Sequence, residues 1–342
     1  MKAMILAGGL STRLYPLTKQ VPKPLVPIAN EPNAAWVMRY LHAYGIDEIA
    51  INVHYHAEAI ETRLRDGSQY GVRLHYLHEP ELLGSAGAVK QMETFFDDTF
   101  VVVGCDDLTD ARLDELIAFH RSRRALATIG LVRAADVSQY GVVVVDGNGR
   151  IVEFQEKPAP GTERSHLVNT GIYVFEPGIF ARIPPDTFYD FGKQVFGELL
   201  RDGLPFYGME LAGAYWCDIG TPAEYRRASD DVLAGKVRLA GGGIALGVSP
   251  DAVVGEGARI EGSVLVGRGA HVGDRATIEG PSVVGDGAIV GAGAVLSGAI
   301  VWEGAVIGAD ARVNDSVVGA NYHLSAGAVL DGAVVANEEA AV

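Results

Sequence analysis

Between Leu6 and Pro27 the chain reads LAGGLSTRLYPLTKQVPKPLVP, a run whose residue types suit the binding of a polyanion. Lys2 to Leu6 is a short apolar stretch that predicts a buried parallel strand. It runs into Ala7-Gly8-Gly9, where the backbone can turn sharply and approach a ligand with no Cβ in the way. A glycine turn after a strand offers N–H groups to an anion, and Arg13 and Lys23 add fixed positive charge. The chain is acidic overall, with 28 basic against 43 acidic residues, so Arg13 and Lys23 on this stretch are a local choice. A plain strand–turn–helix start can also contain Gly-Gly and an arginine, so spacing further along the run has to decide.

The common phosphate signatures are absent: there is neither G-x-G-x-x-G nor G-x-x-x-x-G-K-[ST]. The stretch resembles instead the signature loop of the sugar-nucleotide pyrophosphorylases, usually written G-G-x-G-T-R-L…P-L-T…P-K-P-L. The matching residues are Gly8, Gly9, Thr12, Arg13 and Leu14, then Pro16-Leu17-Thr18, then Pro22-Lys23-Pro24-Leu25. Ser11 stands where that family usually has glycine. If the position requires a positive φ, serine costs stability there; if it only lends an N–H to phosphate, serine is harmless.

The resemblance implies transfer of a nucleotidyl group from a nucleoside triphosphate to a sugar-1-phosphate, releasing pyrophosphate. The nucleophile is already an anion, so no general base is needed. The protein must screen two polyanions, align them, and stabilise charge on the leaving group. The implied cofactor is Mg²⁺, which takes one or two carboxylates plus substrate oxygens. Asp106, after the apolar run Phe100–Val103, resembles the family's first metal ligand. Asp107 is adjacent, but neighbours at a strand end point oppositely, which favours Asp106. Asp218, in YWCDIGTPAEY, resembles the second ligand in W-x-D-I-G-T-P-x-x-Y. Asp106 could instead cap the next helix, although Asp110 suits that role better. Asp218 could be a turn residue.

The same resemblance assigns the nucleotide to Leu6, Ala7, Gly8, Gly9, Ser11, Thr12, Arg13, Lys23, Glu79, Gly84, Ser85 and Asp106. It gives the sugar phosphate to Tyr140, Gly141, Glu156, Lys157, Asn169 and Thr170. Arg13, Lys23, Asp106, Lys157 and Asp218 are the expected catalytic set. The turn Leu83-Gly84-Ser85-Ala86-Gly87 resembles the L-G-T-A-G turn beside the base that is typical of mannose-1-phosphate guanylyltransferase-like members. Mannose-1-phosphate with GTP is therefore the expected pair, and glucose-1-phosphate with dTTP or UTP the alternative.

The elements that must position these residues follow from periodicity. Strand runs at 48–53, 72–77 and 100–103 alternate with helical runs at 33–44, 57–65, 86–96 and 113–124, which predicts a Rossmann-like, doubly wound α/β sheet. Such sheets bind ligands beyond the C-terminal ends of their strands. From Ala125 the texture becomes hairpin-like, with Asp146-Gly147-Asn148-Gly149 a strong turn signal, so the sheet is expected to be mixed. Helices are expected at 194–201 and 223–233, and a strand at 214–219.

Beyond residue 244 aliphatic residues recur every six positions through Val254, Ile260, Val266, Val272, Ile278, Val284, Val290 and Leu296. The phase slips by one before Val301, Ile307 and Val313, and again before Val318, Leu324 and Leu330. A six-residue period with glycine corners is the hexapeptide signature of a β-helix, here resembling the left-handed parallel type with roughly five coils. The expected division is a catalytic domain over 1–235 and a β-helix over 244–335, with homo-oligomerisation through the β-helix.

A net charge of −15 argues against nucleic acid or an anionic membrane as partner. No apolar run reaches the roughly eighteen residues of a membrane span. The N-terminal run is too short for a signal peptide, and two cysteines without a framework indicate a reducing compartment, so a cytoplasmic location is expected. Cys105 and Cys217 read as small buried hydrophobes, and His54 and His56 as surface residues. Three other readings stay open: an acyltransferase β-helix using His271 or His323, a non-catalytic regulatory subunit of the same fold, and an assembly scaffold. The intact Arg13, Lys23 and aspartates favour the enzyme.

Overall fold

The computed structural model describes residues 1–337, which form two compact units. One comprises Met1–Gly9 and Val37–Trp216, the other Leu10–Trp36 and Cys217 onward. The loop expected to bind phosphate is therefore divided after Gly9, and its cationic part shares a unit with the hexapeptide repeats.

The first unit is built on a nine-stranded mixed sheet. Its strands are β1 (Lys2–Leu6), β2 (Glu48–Val53), β3 (Arg73–His78), β4 (Phe100–Gly104), β5 (Ala127–Arg133), β6 (Gly141–Val145), β7 (Ile151–Glu156), β8 (Leu167–Phe175) and β9 (Phe206–Glu210). The order is β7-β6-β8-β4-β1-β2-β3, with β5 paired to β8 and β9 to β5. Strands β4, β1, β2 and β3 are mutually parallel, in the register Ile5 opposite Ile51 and Val103. β1, β2 and β4 are apolar on both faces because both are covered, and Met4, Ile51 and Val102 are fully buried. β8 runs antiparallel to β4 and opens the mixed half. At the tight turn after β6, Asp146 accepts hydrogen bonds from the N–H groups of Asn148 and Arg150.

Helices α1 (Asn33–Ala43), α2 (Ala57–Leu64), α3 (Gly84–Gln91), α4 (Leu113–Arg123) and α5 (Phe196–Arg201) fall close to the expected runs. α3 ends earlier than its periodicity suggests, since Phe95 and Phe96 turn into the aromatic cluster with Phe100 and Phe180. A π-helical turn, Phe191–Val195, precedes α5. β9 carries no strand signal in the sequence because Gly208 sits at its centre. A Cβ there would lie 2.6 Å from Leu131 Cδ1, so close packing against β5 requires the glycine.

In the second unit, α6 (Pro222–Leu233) leads to three parallel sheets of six, five and five short strands. Each strand pairs with its equivalent one coil away, as in Ile260–Ile278–Leu296–Val313–Leu330. This is the left-handed parallel β-helix, and the aliphatic residue of each later hexapeptide fills its interior. Both phase slips fall at one corner. The two-residue link Gly280-Pro281 in one coil becomes the single residues Gly298 and Asp315 in the next two.

Candidate functional site

In the second unit, Asp218 lies between two cations. Arg13 approaches one carboxylate oxygen at 3.6 Å and Lys23 the other at 3.5 Å. The lysine side chain is 11% exposed and that of Asp218 16%, so this pair is largely withdrawn from water, where charge acts more strongly, while Arg13, at 47%, reaches the solvent. Local sequence explains the placement. Thr12–Leu14 and Lys23–Leu25 are single 3₁₀ turns, each closed by a backbone hydrogen bond. Asp218 comes just before the start of α6, where Thr221 is the N-cap, accepting the Glu224 N–H and donating its hydroxyl to the Glu224 carboxylate, with Pro222 at the first helical position. Gly220 makes the cluster sterically feasible, since a Cβ there would sit 2.9 Å from Asp218 and 3.1 Å from Arg13. Sequence reasoning passed over Gly220, although the D-I-G-T-P run contains it.

Ser11 adopts φ 52°, ψ 39°, so this position does demand the left-handed conformation that glycine would adopt without strain. The Thr18 hydroxyl donates to the Ser11 carbonyl at 2.8 Å and holds the turn.

In the first unit, the glycine turn after β1 rests on a buried polar chain. The Ala7 N–H donates to the Asn52 side-chain oxygen at 2.8 Å, and the Asn52 amide donates to Glu79 at 2.5 Å. The other Glu79 oxygen accepts the Leu83 N–H at 3.2 Å. Asn52 and Glu79 are 5% and 4% exposed, and a Cβ on Gly8 would strike both. A Cβ on Gly9 would meet nothing within 4 Å, so Gly9 borders open space. Asn52 was not anticipated; its signal is a lone carboxamide inside the apolar strand EIAINV. His54 is not a surface residue, because its ring is half-buried and bonded to the Glu79 carbonyl at 2.7 Å.

The two aspartates after β4 have different surroundings. Asp107 is buried and accepts the Gly104 N–H at 3.0 Å and the Trp216 indole N–H at 2.9 Å. Asp106 is half-buried, with its carboxylate folded over Gly104, where a Cβ would come within 2.5 Å. Asp110 does not cap α4. It accepts the Tyr215 N–H at 2.7 Å, and the N-cap is Arg112.

On the mixed side, Tyr140 packs edge-on against Trp216, whose indole also donates to the Thr170 carbonyl. Thr170 is buried and donates its hydroxyl to the Gly130 carbonyl; the Asn169 amide donates to Tyr173 and its oxygen accepts the Gly171 N–H. Both predicted sugar contacts thus have structural work of their own. Glu156 lies beside Gly141 and Gly192; desolvation raises its carboxyl pKa, Lys157 opposes this and Asp190 adds to it. Lys157 is exposed at φ 46°. The Ser85 hydroxyl donates to Asp190 and accepts the Phe191 N–H, tying the turn at Gly84 to the π-helical turn. Neither cysteine is in a disulfide and both are buried, with burial pushing the Cys217 thiol up to about 11.

Among the described residues, no three or more His, Cys, Asp or Glu side chains gather as a protein-built metal centre. The oxygen donor present, the Asp218 carboxylate beside Arg13 and Lys23, is of the kind that suits a hard cation completed by substrate oxygens. A cavity of about 300 Å³ opens between the Ala29–Glu31 turn and the first coil, beside Arg268 and Asp286, and none of the predicted site residues lines it.

The profile of the nucleotidyl transferase family matches residues 2–235. The chain belongs to that family. A second profile, described as the GMPPB C-terminal domain, matches residues 260–342. A relative from Synechocystis named UTP–glucose-1-phosphate uridylyltransferase is 38% identical, over 94% of this chain and 88% of its own. One from Mycobacterium tuberculosis named mannose-1-phosphate guanylyltransferase is 36% identical, over 78% of this chain and 75% of its own. A crystal structure titled as a glucose-1-phosphate thymidylyltransferase of Bacillus anthracis superposes with a TM-score of 0.61 at 26% identity, over 67% of this chain and 94% of that one. The nucleotidyltransferase is thus an enzyme with a mixed α/β sheet followed by a β-helix. Among its described residues no helix is long and apolar enough to cross a membrane.

Proposed function

We propose that this nucleotidyltransferase joins the nucleotidyl group of a nucleoside triphosphate to a sugar-1-phosphate and releases pyrophosphate, with GTP and mannose-1-phosphate as its preferred pair. The observation that carries the reading is Asp218 held between Arg13 and Lys23 inside a family match over residues 2–235. Two cations beside one carboxylate supply what the chemistry asks for: positive charge for the phosphates and an anionic ligand for a metal.

Enzymes of this family generally work with a divalent metal, and for this chain we assign Mg²⁺ with Asp106 and Asp218 as its protein ligands. Bound Mg²⁺ would screen the approaching phosphates and stabilise the pyrophosphate leaving group. Arg13 and Lys23 hold the triphosphate, and Gly8, Gly9, Ser11 and Thr12 offer backbone N–H groups to it. Leu6, Ala7, Glu79, Gly84 and Ser85 border the nucleoside. Lys157 takes the sugar phosphate, and Glu156, Tyr140, Gly141, Asn169 and Thr170 the sugar. Residues 1–235 form the catalytic domain, and the β-helix over 244–335 mediates homo-oligomerisation in the cytoplasm.

The Leu83–Gly87 turn and the guanylyltransferase relatives favour guanine. The longer match to the uridylyltransferase relative supports UTP with glucose-1-phosphate as the second reading. A pyrophosphate-release assay with Mg²⁺, crossing GTP, UTP, dTTP, ATP and CTP with mannose-, glucose- and N-acetylglucosamine-1-phosphate, separates them. A best rate with GTP and mannose-1-phosphate is expected. A best rate with UTP and glucose-1-phosphate would replace the first reading by the second.

A further inference from the structure

Arg13, Lys23 and Asp218 share their compact unit with the β-helix, and one side chain joins all three segments. Tyr225, on α6, is fully buried. Its hydroxyl donates to the Pro27 carbonyl at 2.8 Å and accepts the Trp302 indole N–H at 2.7 Å. The Tyr225 and Trp302 rings meet edge-on, with centroids 5.8 Å apart. Burial raises the phenol pKa, so it remains a donor at any physiological pH.

Trp302 breaks the pattern of its own repeat. In register, the residues Val266, Val284, Val301 and Val318 are followed by Gly267, Gly285, Trp302 and Gly319. A corner glycine has become the largest side chain, yet Trp302 is only 2% exposed. The repeat itself gives no reason for a tryptophan there; the phenol of Tyr225 does. Pro27 closely follows the 3₁₀ turn that carries Lys23, and Tyr225 lies one turn into the helix that follows Asp218. The hydroxyl therefore ties the lysine segment, the aspartate segment and the β-helix at one point. Asn30 adds a second tie, donating to the Val284 carbonyl at 3.0 Å.

We propose that Trp302 and Tyr225 are positioning residues for nucleotidyl transfer: the β-helix, through the Trp302–Tyr225–Pro27 relay, sets the spacing of Lys23, Arg13 and Asp218. The inference rests on the proposed reaction and gives the β-helix a part in it separate from assembly. Placement errors of about 1 Å cost up to ~10²-fold in rate, whereas a merely structural tie would change stability alone.

The test uses the full chain with Tyr225→Phe, Trp302→Phe, the double variant, and Asp315→Asn as control. Asp315 pairs with Arg226 on the same helix but is 73% exposed, so its loss is expected to matter little. Tyr225→Phe is expected to lower kcat by roughly 10–100-fold and weaken calorimetric binding of Mg²⁺-pyrophosphate, with the oligomeric state unchanged. Trp302→Phe should fall in the same direction, and the double variant should be no worse than Tyr225→Phe alone, because both act through one relay. Wild-type kcat and pyrophosphate binding in both single variants, with only a lowered melting temperature, would overturn the proposal while leaving the reaction intact. Equal losses in Asp315→Asn would also overturn it. A wild-type enzyme inactive on every substrate pair would instead refute the reaction, a result the pyrophosphate titration distinguishes.

Discussion

Gly8 and Gly9 are neighbours in one turn, and the structure predicts opposite consequences for the same substitution. A methyl group on Gly8 would lie 2.7 Å from the Asn52 amide nitrogen, 2.9 Å from a Glu79 oxygen and 3.1 Å from Leu82. Neither polar side chain can retreat freely: Asn52 holds the Ala7 N–H, Glu79 holds the Leu83 N–H, and the two are bonded to each other. Relief requires breaking a hydrogen bond to a buried carboxylate or straining the core, each costing about 1–3 kcal/mol. Gly8→Ala is expected to destabilise the protein by roughly 2–4 kcal/mol by the two effects together. Gly9→Ala meets nothing within 4 Å and should stay within about 0.5 kcal/mol of wild type. If the triphosphate approaches Gly9, however, that methyl should raise its KM by ~10-fold or more. Denaturant titration followed by steady-state kinetics on both variants reads each effect. A Gly8→Ala protein as stable as wild type, or a Gly9→Ala enzyme with wild-type KM, would refute the reasoning.

Other expectations follow from single residues. Ser11→Gly should stabilise the protein by about 1 kcal/mol in chemical denaturation, because the left-handed backbone at φ 52° strains serine. Asp107→Ala should cost about 2–4 kcal/mol through two lost charge-assisted hydrogen bonds, whereas Asp106→Ala should fold and be inactive in the transfer assay. His120, fully buried between Thr128 and Glu176, has its pKa pushed below 6.5 by burial. The unfolded chain then takes up a proton first as pH falls below about 6.5, so stability should drop there by up to ~1.4 kcal/mol per pH unit. Denaturation of His120→Gln across pH 5–7.5 should show a shallower slope than wild type.

The parallel half of the sheet was legible because strands covered on both faces must be apolar, and β1, β2 and β4 are. The β-helix was legible down to its two phase slips, which mark the corner where Gly280-Pro281 becomes Gly298 and then Asp315. What stayed hidden was mostly polar or glycine-mediated. Gly208 hides β9, and Asn52 looks like an interruption of its strand until Ala7 and Glu79 are seen beside it. Asp110 reads as a helix cap by spacing alone, but the Tyr215 N–H, more than a hundred positions away, claims it. Trp302 was visible as a broken repeat, yet its purpose depends on Tyr225, which no local pattern connects to it. The loop from Leu6 to Pro27 was expected to bind phosphate, and nothing in its residue types announced that it is divided between two compact units after Gly9.

The central claim is that Arg13, Lys23 and the two aspartates transfer a nucleotidyl group to a sugar-1-phosphate. It is tested most directly by following the phosphorus resonances of GTP, mannose-1-phosphate and Mg²⁺ with wild type, Asp106→Asn and Asp218→Asn. The account predicts loss of the triphosphate signals, growth of a sugar-linked diphosphate and free pyrophosphate in equal amounts, and rates lowered ~10²-fold or more in either variant. Undiminished turnover in folded Asp218→Asn, or no pyrophosphate from wild type with any sugar-1-phosphate and triphosphate, would contradict it.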